Sequence, residues 1–183
     1  MATDETADGP LIYIAVGEPS GDQLAAHLVT ALRAQAGDRV RFAGLAGPRM
    51  AALGLESLFP IDDLAVMGLE FLPKLRLILR RIREVAADAR DRRPACVVLV
   101  DSQGFSHRVA KRLRVSGIPV IQYVAPTVWA WHESRAAKVA RCVDHLLAIF
   151  PFEAPYFERH GLATTFVGHP AAEHVDVPAD SRV

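Results

Sequence analysis

The feature that most constrains this fold is a regular alternation of short apolar runs with longer segments of helical period. The runs occupy residues 11–16, 40–43, 95–100, 120–124 and 145–149. Each is too short for a helix and is bounded by turn-forming or charged residues. Because the runs are almost continuously apolar, we expect strands that are buried on both faces of a sheet.

Between the runs, apolar residues recur at the spacing of a helix. Three stripes are visible: Leu24, Leu28 and Leu32, then Leu72, Leu75, Leu79, Ile82 and Ala86, then Val109 and Leu113. Alternating strands and helices predict an α/β fold, a doubly wound, mostly parallel Rossmann-like sheet with helices on both faces. Ligands should then bind beyond the carboxyl ends of the strands.

The composition indicates one globular domain. The chain has 183 residues, of which 51% are hydrophobic and 23% charged, and this balance is unlike that of disordered chains. Lys plus Arg and Asp plus Glu are equal at 21 each, so the overall charge gives no reason to expect nucleic acid as a partner.

Localisation and cysteine chemistry follow from what the sequence lacks. It has no apolar run long enough to span a membrane, and residues 11–16 are too few for an export signal. We therefore expect a cytoplasmic protein, which leaves binding to a membrane surface open. Cys96 and Cys142 have no CxxC or clustered His spacing, so we expect two buried thiols and no zinc site.

A glycine-rich turn at residues 17–22 follows the first predicted strand and opens a helix that Ser20 or Asp22 is placed to cap. Such a turn can bind an anion at the helix N-terminus. Its spacing matches neither a dinucleotide fingerprint nor a P-loop. The pattern leaves a plain tight turn and a ligand loop open. A second turn, at residues 44–50, is more typical of a structural turn, with Pro48 at the first helical position.

A carboxylate, Asp101, comes directly after the apolar run 95–100. At the carboxyl end of a strand it would face the ligand crevice, where it could act as the base that activates a hydroxyl for sugar transfer. Alternatively, Asp101 caps the next helix or pairs with an arginine. Ser102 and Ser106 lack the GxSxG context of a hydrolase nucleophile.

Both tryptophans of the chain, Trp129 and Trp131, fall in the segment after the run 120–124. With Arg135 and Lys138 close by, they are suited to stacking on a sugar and holding an anionic group. Two tryptophans can equally belong to the core, and the pattern does not separate these interpretations.

An apolar segment at residues 64–69 precedes a strongly basic helix. Residues 74–93 contain eight Lys or Arg and three Asp or Glu, a local net charge of +5. A basic amphipathic helix beside an apolar loop is typical of proteins that rest on anionic membranes. The alternative is an ordinary sheet-covering helix with a solvated basic face.

Six segments between residues 11 and 170 are jointly far more specific than any one of them. They are GEPSGD at 17–22, AGPRM at 46–50, LAVMG at 64–68, YVAPTVWAW at 123–131, and FPFE at 150–153 with FVGHP at 166–170. In this order they resemble the N-terminal domain of lipid-A-disaccharide synthases, inverting glycosyltransferases of the two-domain GT-B architecture. The resemblance implies transfer of diacylglucosamine from UDP to diacylglucosamine 1-phosphate, at the inner face of the bacterial inner membrane, without a metal or organic cofactor.

The resemblance also implies roles for individual residues. Asp101 matches the position regarded as the catalytic base of the family, and residues 66–69 match the segment associated with acyl chains and membrane. Together with the aromatic and cationic positions above, the predicted substrate-binding residues are Glu18, Ser20, Gly21, Asp22, Met67, Gly68, Tyr123, Trp129, Trp131 and Arg135. The predicted membrane contacts are Val66, Leu69, Arg76, Arg80 and Arg83.

The chain departs from the family pattern next to the candidate base. Where the family usually has Asp-Ala-Pro-Asp-Phe-Asn, this chain has Asp101 followed by Ser-Gln-Gly-Phe-Ser. His132 also stands where an arginine commonly follows the second tryptophan. These changes keep the candidate base and alter its neighbours.

Length is the larger departure, because family members are about twice as long and place the UDP-sugar site mainly in a second Rossmann-like domain. We divide this chain into a flexible N-terminus (1–10), an acceptor-binding domain (11–170) and a tail or interdomain linker (171–183). The expected partner is a C-terminal UDP-binding domain or a separate chain that completes a split enzyme, so we expect no turnover alone. A non-catalytic lipid-sugar binding module is the alternative, whereas an oxidoreductase would need the missing glycine fingerprint.

Overall fold

Strands and helices alternate along the chain, as the apolar runs predict. The computed structural model describes residues 9–64, 71–127 and 133–174. The strands of this part are β1 (Leu11–Val16), β2 (Arg41–Leu45), β3 (Cys96–Val100), β4 (Val120–Tyr123), β5 (His145–Ala148) and β6 (Ala163–Phe166). Its α-helices are α1 (Pro19–Ala36), α2 (Pro48–Ala51), α3 (Phe71–Arg92), α4 (Gln103–Leu113), α5 (Glu133–Ala140) and α6 (Ala154–Glu158). Short 3-10 helices occupy Gly37–Arg39, Ile61–Leu64, Arg114–Ser116 and Pro170–His174.

The strands form one sheet in the order β2-β1-β3-β4-β5-β6, and each neighbouring pair is parallel. This confirms the predicted α/β fold. The register aligns Val16 of β1 with Val100 of β3, and Val100 with Tyr123 of β4. The loops that follow these three strands therefore leave the sheet side by side.

The chain reverses its direction across the sheet between β1 and β3. The connection from β1 to β2 leads one way, and each later connection leads the other way. Because crossovers between parallel strands are right-handed, α1 lies on one face of the sheet and α3, α4 and α5 lie on the other. The reversal creates a crevice at the carboxyl ends of β1 and β3, the place where doubly wound sheets bind ligands.

The sixth strand, β6, is absent from the sequence prediction. Three of its four residues are exposed, so it has no apolar run that could have marked it. The bounds of β2 also differ, since it covers Arg41–Leu45 rather than 40–43. Its last residues are buried against β1, whereas Val40 is only half-buried.

The apolar residues predicted to lie on one side of each helix are buried to different extents. In α4, Val109 and Leu113 are fully buried, and so are Ile82 and Ala86 of α3. The α1 stripe is shifted, because Ala25 and Val29 are its fully buried apolar residues, whereas Leu24 and Leu28 are half-buried. A small residue such as Ala25 fits where the helix lies closest to the sheet.

Both cysteines are free, and they are half-buried against the core rather than buried within it, as had been predicted. Cys96 begins β3 and Cys142 precedes β5. Partial burial still raises the pKa of both thiols. Within the described ranges, no helix has the length and apolar content needed to cross a membrane.

Candidate active site

Two loops meet in the crevice between the carboxyl ends of β1 and β3. The first, residues 17–22, leaves β1 and enters α1, and the second begins at Asp101 and enters α4. A Cβ placed on Gly17 would lie 2.5 Å from the Ser102 hydroxyl oxygen, and one on Gly21 would lie 3.2 Å from the Val100 carbonyl oxygen. A side chain at Gly17 would therefore collide with Ser102, and one at Gly21 would fit only if its neighbour moved slightly, so glycine at both positions lets the two loops approach closely.

Asp101 stands on a strained turn. It has φ of +52°, and Ser102 after it has φ of +39°, in a region that costs a non-glycine residue about 1–3 kcal/mol. The backbone is held there by the Asp101 amide, which donates to the Tyr123 carbonyl at 3.0 Å. The Ser106 hydroxyl donates to the Asp101 carbonyl at 2.7 Å. Strain that surrounding bonds maintain is common where a side chain must be aimed at a ligand.

The Asp101 carboxylate is half-buried and points toward the first loop, where the Ser20 hydroxyl donates to its Oδ2 at 3.3 Å. The residue that caps α4 is Ser102, and it does so without a side-chain hydrogen bond. Across the described residues, Asp101 forms no ion pair with an arginine or lysine. In the described part of the structure, Asp101 therefore neither caps α4 nor pairs with an arginine, the two alternatives to a role as base.

Asp22 has a different environment from the one predicted. The helix α1 begins at Pro19 with Glu18 as its N-cap and without a side-chain capping bond, so the prediction that Ser20 or Asp22 caps it was wrong. Because proline favours the first helical position, the helix starts early and Asp22 lies one turn inside it. The carboxylate is 2% exposed and accepts from the amides of Gly47, Arg49 and Met50 at 2.9, 2.8 and 3.2 Å.

Asp22 thereby satisfies free amides at the start of α2 and joins the first loop to the second turn, residues 44–50. Its role in this arrangement is to hold two loops together. Glu18 and Ser20, in contrast, are exposed at the mouth of the crevice, and Gly21 is buried beside β3.

The remaining predicted site residues fall into two groups. Tyr123 is 4% exposed and contributes its backbone carbonyl to the Asp101 turn. Arg135 is exposed on α5 and lines a separate cavity between α4 and α5. The predicted residues that lie outside the described ranges are Val66, Met67, Gly68, Leu69, Trp129 and Trp131.

Sequence reasoning missed Gln122, a buried polar residue near the end of β4. Its amide nitrogen lies within 3.3–3.4 Å of the carbonyl oxygens of Asp101, Tyr123 and Val124. Val124 has φ of +74°, which is rare for a β-branched residue. Gln122 thus connects the residues with positive φ that follow two neighbouring strands. The sequence feature that could have identified Gln122 is a single amide side chain inside the apolar run 120–124.

Some cations of the basic helix α3 are bound in ion pairs with carboxylates. Arg81 binds Asp63 at 2.5 Å and Glu84 at 2.6 Å, with its guanidinium 4.4 Å from the centre of the Phe59 ring. These bonds raise the pKa of Arg81 and lower that of Glu84. Arg80 pairs with Glu84 at 2.7 Å. Arg76 and Arg83 are exposed and have no ion pair within the described ranges.

The fold is shared with two solved protein structures. MurG from Acinetobacter baumannii superimposes with a TM-score of 0.51 and 16% identity, over 78% of this chain and 42% of that one. UDP-N-acetylglucosamine 2-epimerase from Rickettsia bellii gives a TM-score of 0.61 and 12% identity, over 90% of this chain and 46% of that one. At such low identity these likenesses concern the fold, which is that of the N-terminal half of GT-B glycosyltransferases.

Sequence similarity is much closer to one group of proteins. The lipid-A-disaccharide synthase of Rhodospirillum centenum is 53% identical over 166 residues, which cover 89% of this chain and 41% of that protein. The chain thus spans about two fifths of the length of this curated relative. The family model described as lipid-A-disaccharide synthetase matches residues 12–182, and the chain therefore belongs to this family.

Proposed function

We propose that this chain forms the acceptor-binding half of an inverting glycosyltransferase that transfers diacylglucosamine from UDP to diacylglucosamine 1-phosphate, a step of lipid A synthesis. The observation that carries this proposal is the Asp101 carboxylate, presented on a strained turn in the crevice between β1 and β3. Membership of the family and the names of its relatives support synthesis of the lipid A disaccharide as the reaction.

In this mechanism Asp101 removes the proton of the acceptor hydroxyl. The hydroxyl oxygen then bonds to the anomeric carbon of the donor sugar from the side opposite UDP, and the bond to UDP breaks with inversion. Ser20 donates a hydrogen bond to one carboxylate oxygen and so fixes the direction in which the other can accept a proton. Among the described residues, no cluster of His, Cys, Asp or Glu could hold a metal ion, and the proposed mechanism uses none.

The second half of the enzyme supplies the UDP site in this proposal. Residues 11–170 form the acceptor-binding domain, and residues 171–183 form a tail or the start of a linker to a UDP-binding domain in the same chain or a separate one. Transfer needs both reactants held in one cleft, so the 183-residue chain by itself should show no turnover. Measurable transfer by the purified chain would contradict this assignment.

The test is a chimera of residues 1–170 with the C-terminal part of the Rhodospirillum centenum relative. Replacing Asp101 by Asn should lower kcat by about 100-fold or more while the acceptor KM changes little, the usual scale for a lost general base. Asp91→Asn, an exposed carboxylate on α3, is the matched control and should keep full activity. Wild-type turnover by the Asp101→Asn chimera would overturn the role of Asp101, and acceptor binding without any transfer by the parent chimera would favour a binding module.

We assign the membrane contact of this half to Val66, Leu69 and the exposed cations of α3, on the inner face of the inner membrane. Arg76 and Arg83 are the cations best placed for this role, because Arg80 already pairs with Glu84 and Arg81 binds Asp63. A cation close to an anionic surface contributes about 1 kcal/mol. Two cations alone give weak attraction, so the apolar segment has to add to it.

Vesicle sedimentation tests this contact. The double variant R76E/R83E should lose most binding to anionic vesicles, and binding of the unmodified chain should weaken as salt rises. The matched control R39E/R41E reverses two exposed charges at the amino end of β2 and should bind as the unmodified chain does. Equal binding of neutral and anionic vesicles, or equal loss in both double variants, would contradict a specific role for α3.

A further inference from the structure

A cavity lies beside the start of α4, close in sequence to Asp101. The helices α4 and α5 leave between them a cavity of about 620 Å³, within the range of sites that hold small molecules. Its wall includes Gln103 and Gly104, which follow Asp101 by two and three residues, and Gln122 of β4. Because the Gln122 amide also contacts the Asp101 carbonyl at 3.4 Å, one side chain links the cavity to the candidate base.

The wall of this cavity is cationic. Arg108 and Lys111 project from α4, and Arg135 and Lys138 project from α5. Among the residues that the structure describes, those that line the cavity include no aspartate or glutamate. None of the four cations forms an ion pair with a carboxylate in the part of the chain that the structure describes. Four cations on two helices therefore face one volume, and no carboxylate of the described residues compensates their charge there.

The pKa of His107 is affected by these cations. His107 lies on the same wall, and its pKa is lowered first by burial and then by Lys111, Arg108 and Lys138. Three separate cations thus act on one imidazole from both helices. Burial disfavours a charge of either sign, but the contribution of the three cations favours a bound anion.

The arrangement suits a phosphomonoester better than a carboxylate or a neutral sugar. The Arg108 guanidinium is fixed by a 2.6 Å hydrogen bond from Nη1 to the Gly104 carbonyl, and an arginine held in this way can present its other N–H groups to two oxygens at once. A phosphomonoester carries between one and two negative charges and three acceptor oxygens. The volume of the cavity exceeds that of a phosphate group alone, so it has room for the attached sugar.

We propose that this cavity binds the phosphate of a sugar 1-phosphate, with Arg108, Lys111, Arg135 and Lys138 as its ligands, so that the far end of the sugar lies toward Asp101. This assignment rests on the proposed function, because it identifies the phosphate-bearing end of the acceptor. It assigns the cations of α4 and α5 to acceptor recognition and leaves proton transfer to Asp101.

The experiment titrates the 183-residue chain with glucosamine 1-phosphate, glucosamine, inorganic phosphate and UDP, followed by NMR. The double variant K111Q/K138Q should bind glucosamine 1-phosphate at least about tenfold more weakly, the loss expected when charge-assisted hydrogen bonds are removed. The matched control R112Q/R141Q removes two positive charges from α4 and the turn after α5 that do not line the cavity, and its affinity should be unchanged. Thermal melts establish that both variants fold.

Three results would overturn the proposal: equal affinity of the two double variants, equal binding of inorganic phosphate and the sugar phosphate, or tighter binding of UDP. The second identifies a site for free phosphate, and the third identifies a nucleotide site. Glucosamine without phosphate should bind the unmodified chain and K111Q/K138Q alike. Failure of the proposed function would show differently, as acceptor binding without transfer by the parent chimera.

Discussion

Asp22 and Asp101 are two carboxylates of the same crevice with opposite environments. Asp22 is 2% exposed, and its carboxylate accepts hydrogen bonds from three backbone amides of residues 47–50. Asp101 is half-buried, receives one serine hydroxyl at 3.3 Å, and stands on a backbone with positive φ. The first stabilises the loops, whereas the second is held at a cost in stability and keeps its oxygens available for chemistry.

The contrast shows that position after a strand does not by itself make an acid catalytic. Both residues were predicted to act in the site, Asp22 in substrate binding and Asp101 as the catalytic base. The carboxylate of Asp22 accepts hydrogen bonds from backbone amides. The carboxylate of Asp101, in contrast, stands on a strained turn and faces the crevice. The two residues should therefore respond to substitution with changes in stability of opposite sign.

The largest expected effect on stability is that of Asp22→Ala. The substitution leaves the amides of Gly47, Arg49 and Met50 without their acceptor in a buried site, which should cost about 3 kcal/mol or more. For a chain of this size that loss corresponds to a fall in Tm of roughly 10 °C. Asp62→Ala, which removes an exposed carboxylate, should leave Tm nearly unchanged, and an equal fall in both variants would remove the distinction.

A smaller effect of opposite sign is expected for Asp101→Gly. Glycine adopts positive φ without steric cost, so the variant should gain about 1 kcal/mol in the free energy of unfolding, while the chimera that carries it should lose transfer activity. The control Asp91→Gly places glycine within α3 and should lose stability instead. If urea unfolding shows Asp101→Gly to be destabilised, the turn is not strained and the comparison with Asp22 fails.

The sequence predicts the strands well because burial on both faces requires continuous apolar runs, as in residues 95–100. It misses β6, where an exposed edge needs no such run. Among the candidate site residues, Asp101 and Ser20 lie together as their loops suggest. The amide partners of Asp22 depend on a neighbouring loop, and no local pattern encodes them.

The pairing of charged residues is the property that the sequence predicts least well. The basic residues of α3 stand out there, yet Arg80, Arg81 and Arg92 are paired with carboxylates. The cations of α4 and α5 are ordinary in number, and they form a cationic wall only because two helices that follow consecutive strands face each other across Gln122. Pairing depends on the tertiary structure, so counting charges along the chain cannot predict it.

The exposed strand β6 has a practical consequence for work with this chain. At the opposite edge of the sheet, Gly44 of β2 is bridged by Ser57, whereas β6 ends the strand order with Phe166 52% and Val167 47% exposed. In the part of the chain that the structure describes, no strand pairs with the outer edge of β6. Such an edge beside apolar side chains promotes pairing between molecules, above all once heat loosens the sheet. Thermal scans of concentrated samples should therefore end in precipitation, and stability differences are better measured in urea with dilute protein.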